Sequence, residues 1–579
     1  MASSTQAEDL LQAARCEDLN YSQIRELSVL GPFETNIIAT LKQPGAHLLE
    51  GARGVGKSML LRLAEIDLDS AFQTDRRLGV YVSFKTSTVL EGVKAGERDG
   101  FQLWVNAKIL QALHAKLEQL DLIGKAGQAD PYQRIFGISS VTQTHVFLEE
   151  KLFQLQKLAF APDKQIALAE IGNDFLDRVR DTGFLTEVVK GVVSQFNLHR
   201  IVFLFDEAAH TFIPSQQEVF FEIFKLLHGG VIAVKAAVYP SVTSYGRNFE
   251  VGHDAIVLSM DRFEPGMHGR AANREQFREI IDKRIPPKST LRKTIFSKGE
   301  LLDLCVDLST GNPRAFLHLL NRALDNGFSE RAVTLAAQDF VDKELLPYHQ
   351  NLAKRLPKYA SHVRTGLDLL RGYIVPEIRT KNHRQTKSGY QSAFFTLQRD
   401  ISPNLRLAVD LMCYSGVLIN KGTVKIAERQ TGMRYMIHLA VLATEKAFSN
   451  PRLSEAIGAI SLTDYREFSS TDVQIETYLR TLKDSADHCP SCSAALAPDA
   501  KFCSDCGARL ENKPIITGLL EELIDALSIS DRLKDRVRPK FPRVGDVVQA
   551  RKEEIMTIPY IKDVRSRMIK NAADEFISG

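Results

Sequence analysis

Two hydrophobic periods divide the chain. Short apolar runs occur at His47-Leu48-Leu49, Ile201-Val202-Phe203-Leu204-Phe205 and Val231 to Tyr239. Runs without a polar face predict strands covered on both sides, as in a parallel sheet. Leu78 to Phe84 is alternating and β-rich, which predicts one more strand. Between these runs the apolar residues return with helical spacing over Ser58 to Ala64, Phe101 to Leu120 and Val146 to Leu158. Gly124 to Ser140 is rich in turn residues and predicts a surface loop. Strands alternating with helices predict an α/β domain.

Further along, the pattern changes. Leu352 to Leu370 is helical and basic, and Arg379 to Lys387 reads as a basic loop. Ser392 to Leu397 and Leu405 to Cys413 read as helices. Gly416 to Ile419, Gly422 to Ile426 and Arg434 to Ile437 then read as strands of a hairpin. Residues 451–484 read as a helical linker and 513–579 as a helical module.

Composition narrows this picture in three ways. A chain of 579 residues is too long for one core. With 44% hydrophobic and 25% charged residues it is an ordinary globular composition. No apolar run approaches the ~20 residues of a membrane span, and residues 1–20 carry no targeting pattern, so a cytoplasmic protein with no membrane partner is expected. The formal charge of +3 is nearly neutral, so any nucleic-acid contact must come from local patches.

The chemistry concentrates at Gly51, Ala52, Arg53, Gly54, Val55, Gly56, Lys57, Ser58 and Met59. The spacing G-x-x-x-x-G-K-S is that of a phosphate-binding loop. Its glycines let backbone N–H groups wrap phosphate oxygens, Lys57 reaches the β- and γ-phosphates, and Ser58 ligates Mg²⁺. The strand Ile201 to Phe205 ends in Asp206 and Glu207, at the edge where open α/β sheets bind ligands. Asp206 would hold Mg²⁺ and Glu207 would polarise an attacking water. After the next strand, Ser241 and Thr243 are candidates to touch the γ-phosphate, and Arg247 is a candidate arginine finger on a neighbouring subunit's nucleotide.

Gly311-Asn312-Pro313-Arg314 turns into an apolar helix with Arg314 in its first turn. With the loop and the Asp206-Glu207 pair, this resembles the AAA+ P-loop ATPases, in their origin-recognition and STAND-like branch, over residues 21–345. The resemblance implies an α/β P-loop NTPase core (21–265) and a helical lid (266–348) whose Arg314 contacts the γ-phosphate. It also implies ATP and Mg²⁺ as ligands, hydrolysis of ATP to ADP and phosphate, and a homo-oligomer when ATP is bound. Residues 349–450 resemble the winged-helix DNA-binding domain that follows such a lid.

Four of the seven cysteines, Cys489, Cys492, Cys503 and Cys506, are spaced C-x2-C-x10-C-x2-C. That spacing predicts a closed, structural Zn²⁺ site, and residues 485–512 resemble a zinc ribbon. Residues 513–579 resemble a degenerate helix-hairpin-helix module, with Tyr560 and Lys562 where the family has glycines. These modules imply DNA as a partner. The expected function is an ATP-dependent switch or remodeller acting on DNA. The alternative is a STAND-like signalling or defence ATPase whose accessory modules bind protein.

Overall fold

Unbroken apolar runs, with no polar face to leave in water, become the buried middle of a sheet. The structure is a computed structural model that describes residues 11, 13–85, 97–125, 128–138, 140–157, 164–207, 214–240, 242–261, 267–356, 359–384, 389–398, 401–427, 430–469, 471–483, 492, 504–508 and 515–578. Strands β1 (Ala46–Glu50), β2 (Arg77–Ser83), β3 (Arg200–Asp206), β4 (Ile232–Val238) and β5 (Ile256–Ser259) form one sheet in the order β2-β3-β4-β1-β5. Every neighbouring pair is parallel.

Successive β3 residues feed different cores. Phe203 and Phe205 pack with the helices Glu97–Gln119, Thr182–Gln195 and Pro214–Leu227. Val202 and Leu204 pack with Pro32–Leu41 and Lys57–Asp75. The loop after β1 and the helix Lys57–Asp75 complete the α/β core of a P-loop NTPase. Helices Met267–Arg284, Gly299–Leu308, Pro313–Asp325 and Glu330–Phe340 share a further core, which runs on into residues 367–475.

A second sheet orders β6 (Phe394–Gln398), β7 (Leu418–Ala427), β8 (Gln430–Ile437) and β9 (Tyr465–Phe468) as β7-β8-β6-β9. The antiparallel β7–β8 hairpin follows the helix Pro403–Ser415, the order of a winged helix. Ser392 to Leu397 is not a helix. Phe394, Phe395 and Leu397 are fully buried and pair with β8 on one side and β9 on the other. Residues 451–484 likewise contain β9 and are not purely helical. Arg379 to Arg384 continues a helix, Val375–Arg384, and residues 385–388 lie outside the described residues. The expected loop at 124–140 contains the helix Pro131–Phe136, capped by Asp130.

Helices Ile515–Glu521, Asp531–Val537, Val544–Gln549, Lys552–Met556 and Asp563–Ser578 share one small core. Tyr560, at the expected glycine position, adopts a left-handed φ of 67° and is 74% exposed. Among the described residues, no helix is long and apolar enough to cross a membrane.

Candidate nucleotide site

The loop between β1 and the helix Lys57–Asp75 needs its glycines. Gly54 and Gly56 have φ of 83° and 98°. A Cβ on Gly54 would lie 2.7 Å from Asn312 Oδ1 and 3.0 Å from Arg314 Cβ. One on Gly51 would lie 2.7 Å from Met260 Cβ. The loop is thus pressed between the end of β5 and the helix Pro313–Asp325, and only glycine fits there.

Lys57 is buried, and its ammonium turns back onto the carbonyls of Gly51 and Ala52 at 2.5 and 3.0 Å. It also sits 4.1 Å above the Tyr239 ring. Burial pushes its pKa down to about 7 despite nearby Asp206. Ser58 hydrogen-bonds Asp206. Asp206 Oδ2 also accepts from Tyr81 Oη at 2.6 Å, and its Oδ1 accepts from the Glu207 N–H at 3.0 Å. Burial, with Glu17 nearby, raises the Asp206 pKa.

Glu207 is the strained member. Its φ is 57°, a left-handed value for a side chain that prefers the right-handed or extended regions. Its Oε2 is buried, with no hydrogen-bond partner among the described residues. Burial lifts its carboxyl to about 8, although Lys85 opposes the shift. A buried carboxylate oxygen without a donor, beside a hydroxyl and a second carboxylate, is a donor set with room for a cation or water. Ser58, Asp206 and Glu207 therefore fit Mg²⁺ and its water.

Arg314 reaches the same cleft from the opposite side. Asn312 caps its helix by accepting from the N–H groups of Arg314 and Ala315 at 3.0 and 3.2 Å. The Asn312 amide also donates to the Arg53 carbonyl at 2.8 Å, which ties the helix to the loop. The cleft encloses about 1190 Å³ including its mouth, and Leu27, Val29, Leu30, Leu63 and Ile280 give it an apolar flank beside Gly54 to Met59. That combination of apolar flank and anion cradle suits a nucleotide base and its phosphates.

Several lining residues have no motif in the sequence. Arg15, Glu17, Lys85, Tyr239 and Glu575 all line the cleft. Residues 13–18 are packed in beside it: Ala13 is fully buried, and Cys16–Asp18 is a short 3₁₀ turn. Glu575 pairs with Arg53 at 2.7 Å, with Arg314 at 2.6 Å, and with Arg15. One weak signal marks it. Glu575 stands three residues after Ala572 and seven after Met568, on the apolar stripe of the last helix.

Other candidates fall elsewhere. Thr243 Oγ1 donates to the Tyr239 carbonyl at 2.8 Å, so its hydroxyl serves the turn after β4. Ser241 lies outside the described residues. Arg247 is exposed and does not line the cleft. Cys489 and Cys503 lie outside the described residues, while Cys492 and Cys506 are exposed.

No protein-family model matches the chain. No curated protein matches it. Solved structures do. The Aeropyrum pernix ORC1 protein in complex with DNA is 14% identical over 74% of this chain and 94% of its own, with a TM-score of 0.29. A Walker-type ATPase of Pyrococcus abyssi is 14% identical over 71% and 94%, with a TM-score of 0.34. The ADP form of the Aeropyrum pernix ORC2 protein is 10% identical over 76% and 91%, with a TM-score of 0.28. These superpositions are loose, and the fold is read from the sheet order and the loop geometry of this chain.

Proposed function

We propose that the chain is an Mg²⁺-dependent ATPase of the AAA+ type that works as a switch on DNA. One observation carries the catalytic part. Lys57, Ser58, Asp206, Glu207 and Arg314, spread over more than 250 residues, line a single cleft with an apolar flank. Lys57 and the loop N–H groups hold the phosphates. Ser58 and Asp206 hold Mg²⁺, which neutralises phosphate charge when bound. Glu207 orients and polarises the attacking water, and Arg314 couples the terminal phosphate to the lid helix.

The DNA part rests on the accessory modules: the β7–β8 hairpin, the four-cysteine segment with its Zn²⁺, and the C-terminal module. Basic side chains there include Lys425, Arg532, Arg536, Arg543 and Lys562. A second reading, a signalling or defence ATPase with protein-binding modules, is favoured by a different fact. Arg379 pairs with Glu445, Lys381 with Asp464, Lys421 with Asp261 and Arg538 with Asp525. Those cations are already committed within the chain.

Phosphate release by the full chain, with and without duplex and single-stranded DNA, tests both readings. Stimulation by DNA, with retention that weakens as salt rises, supports the switch on DNA. Turnover that ignores DNA, with no retention at low salt, selects the protein-binding reading.

A further inference from the structure

Away from the cleft, the helices between β2 and β3 bring two histidines together. His114 and Glu118 stand one turn apart on the helix Glu97–Gln119, and His145 and Glu149 stand one turn apart on Val141–Lys157. The ligand atoms of His114, Glu118 and His145 lie within 4.8 Å of one another. His114 is fully buried, and its Nδ1 has no hydrogen-bond partner among the described residues. Its other nitrogen, Nε2, meets Asp130 Oδ2 at 3.2 Å.

A carboxylate only accepts, so Nε2 carries the proton and Nδ1 keeps its lone pair. Asp130 is itself held: Oδ1 caps the Tyr132 N–H at 2.9 Å, and Oδ2 accepts from Thr144 at 3.3 Å. His145 repeats the arrangement at the surface. Its Nε2 faces Glu149 at 3.3 Å, and its Nδ1 faces Glu118 at 3.9 Å. Each imidazole thus has one nitrogen oriented by a carboxylate outside the group, Asp130 or Glu149, and offers a ligand atom within 4.8 Å of the others. Metal-binding histidines are oriented in this way.

We propose that His114 Nδ1, His145 Nδ1 and the Glu118 carboxylate bind a divalent transition ion of the Zn²⁺ class, with Asp130 and Glu149 orienting the imidazoles. Two imidazoles and one carboxylate suit such an ion and leave a position for water. The ion would clip Val141–Lys157 to Glu97–Gln119, in the segment that leads into β3.

The test uses the full chain with its cysteines intact. Metal per chain and the Co²⁺ absorption spectrum are compared for wild type, His145→Ala and Glu118→Gln, each checked by circular dichroism. Both substitutions are at exposed or half-exposed positions, so folding is expected to survive. Loss of one metal equivalent, and of Co²⁺ bands lacking thiolate charge transfer, supports the site. Unchanged stoichiometry and spectra in a folded variant overturn it.

A separate set of contacts joins the C-terminal helix Asp563–Ser578 to the nucleotide cleft. Arg567 Nε donates to the Asp18 carbonyl at 3.1 Å, and the Asn571 amide donates to the Asp18 carboxylate at 3.0 Å. Four residues further along the helix, Glu575 presents its carboxylate to Arg15, Arg53 and Arg314. Burial would raise its pKa, but the three guanidiniums outweigh that and hold it well below the usual carboxylate range. Guanidinium forks bind carboxylate and phosphate with the same geometry.

Resting on the ATPase reading, we infer that Glu575 competes with the terminal phosphate of the nucleotide. Loading of the cleft and docking of residues 515–578 then oppose each other, because one set of cations cannot serve two anions equally.

Labelled-nucleotide binding and hydrogen exchange over residues 563–578 decide this in the full chain. Glu575→Gln is expected to tighten nucleotide binding about ten-fold, the size of one charge-assisted hydrogen bond. Nucleotide is expected to speed exchange in that helix in the wild type. Unchanged or weaker binding by the variant, or slower exchange with nucleotide, overturns the competition. If neither chain binds nucleotide, the ATPase reading itself fails.

Discussion

The cleft has two charged walls, and they differ in how well their groups are satisfied. On the wall built by the phosphate loop and β3, Lys57 folds back onto loop carbonyls, and Glu207 Oε2 has no hydrogen-bond partner among the described residues. On the opposite wall, Arg15, Arg53 and Arg314 share one carboxylate from the last helix. The first wall is shaped for something the chain does not contain. The second has found its counter-charge within the chain. Under-satisfied buried groups mark where a ligand acts, whereas a paired cluster must exchange its internal carboxylate before it can serve a ligand anion.

The sharpest break in this contrast is Lys57→Ala. It removes the ammonium carried by the phosphate loop, and nucleotide binding is expected to fall by at least about 100-fold, two charge-assisted hydrogen bonds in size. Equilibrium binding of labelled ATP reads this directly. Glu207→Gln comes next. It keeps shape and binding but is expected to lower turnover by about 10²- to 10⁴-fold, the range for a positioned general base. Single-turnover phosphate release separates that loss from any change in affinity.

A smaller effect appears in the pH dependence of stability without nucleotide. Burial lifts Glu207 to about 8, so through the window from the ordinary carboxylate value of 4.5 up to about 8 the folded chain keeps a proton the unfolded chain releases. Stability falls as pH rises through that window. Lys57 is pushed from 10.5 to about 7, so there the unfolded chain holds the extra proton and stability rises with pH. Glu207→Gln removes the fall and leaves the rise. Its melting temperature should therefore gain on wild type between about pH 5 and about pH 8. The smallest effect is expected from Thr243→Val. Among the described residues the hydroxyl bonds within its own turn, so turnover should be unchanged while the melting temperature drops slightly.

Much of the first wall was legible in advance, because its geometry is local. Residues 51–58 fold as one turn whose φ values only glycine tolerates cheaply, and the sheet edge places Asp206 beside Ser58. The second sheet was less legible. Ser392 to Leu397 carries an apolar run that fits either period, and only pairing with β8 and β9 makes it a strand. The 451–484 segment was misread for the same reason: β9 is four residues long and gains its hydrogen bonds from a strand some seventy residues earlier.

The linear sequence by itself determined the phosphate loop, the acidic end of β3, the capped helix bearing Arg314 and the alternation that makes the parallel sheet. Each depends on neighbours within a few residues, where backbone sterics and hydrogen-bond reach leave few alternatives. Only the tertiary structure decided that Arg15 and Glu575 meet in that cleft, 560 residues apart, and that ligand atoms of His114 and His145 come within 4.8 Å of each other. A charged or polar side chain carries no record of its distant partner. Its pairing is set by how the cores pack, and becomes visible only once they have.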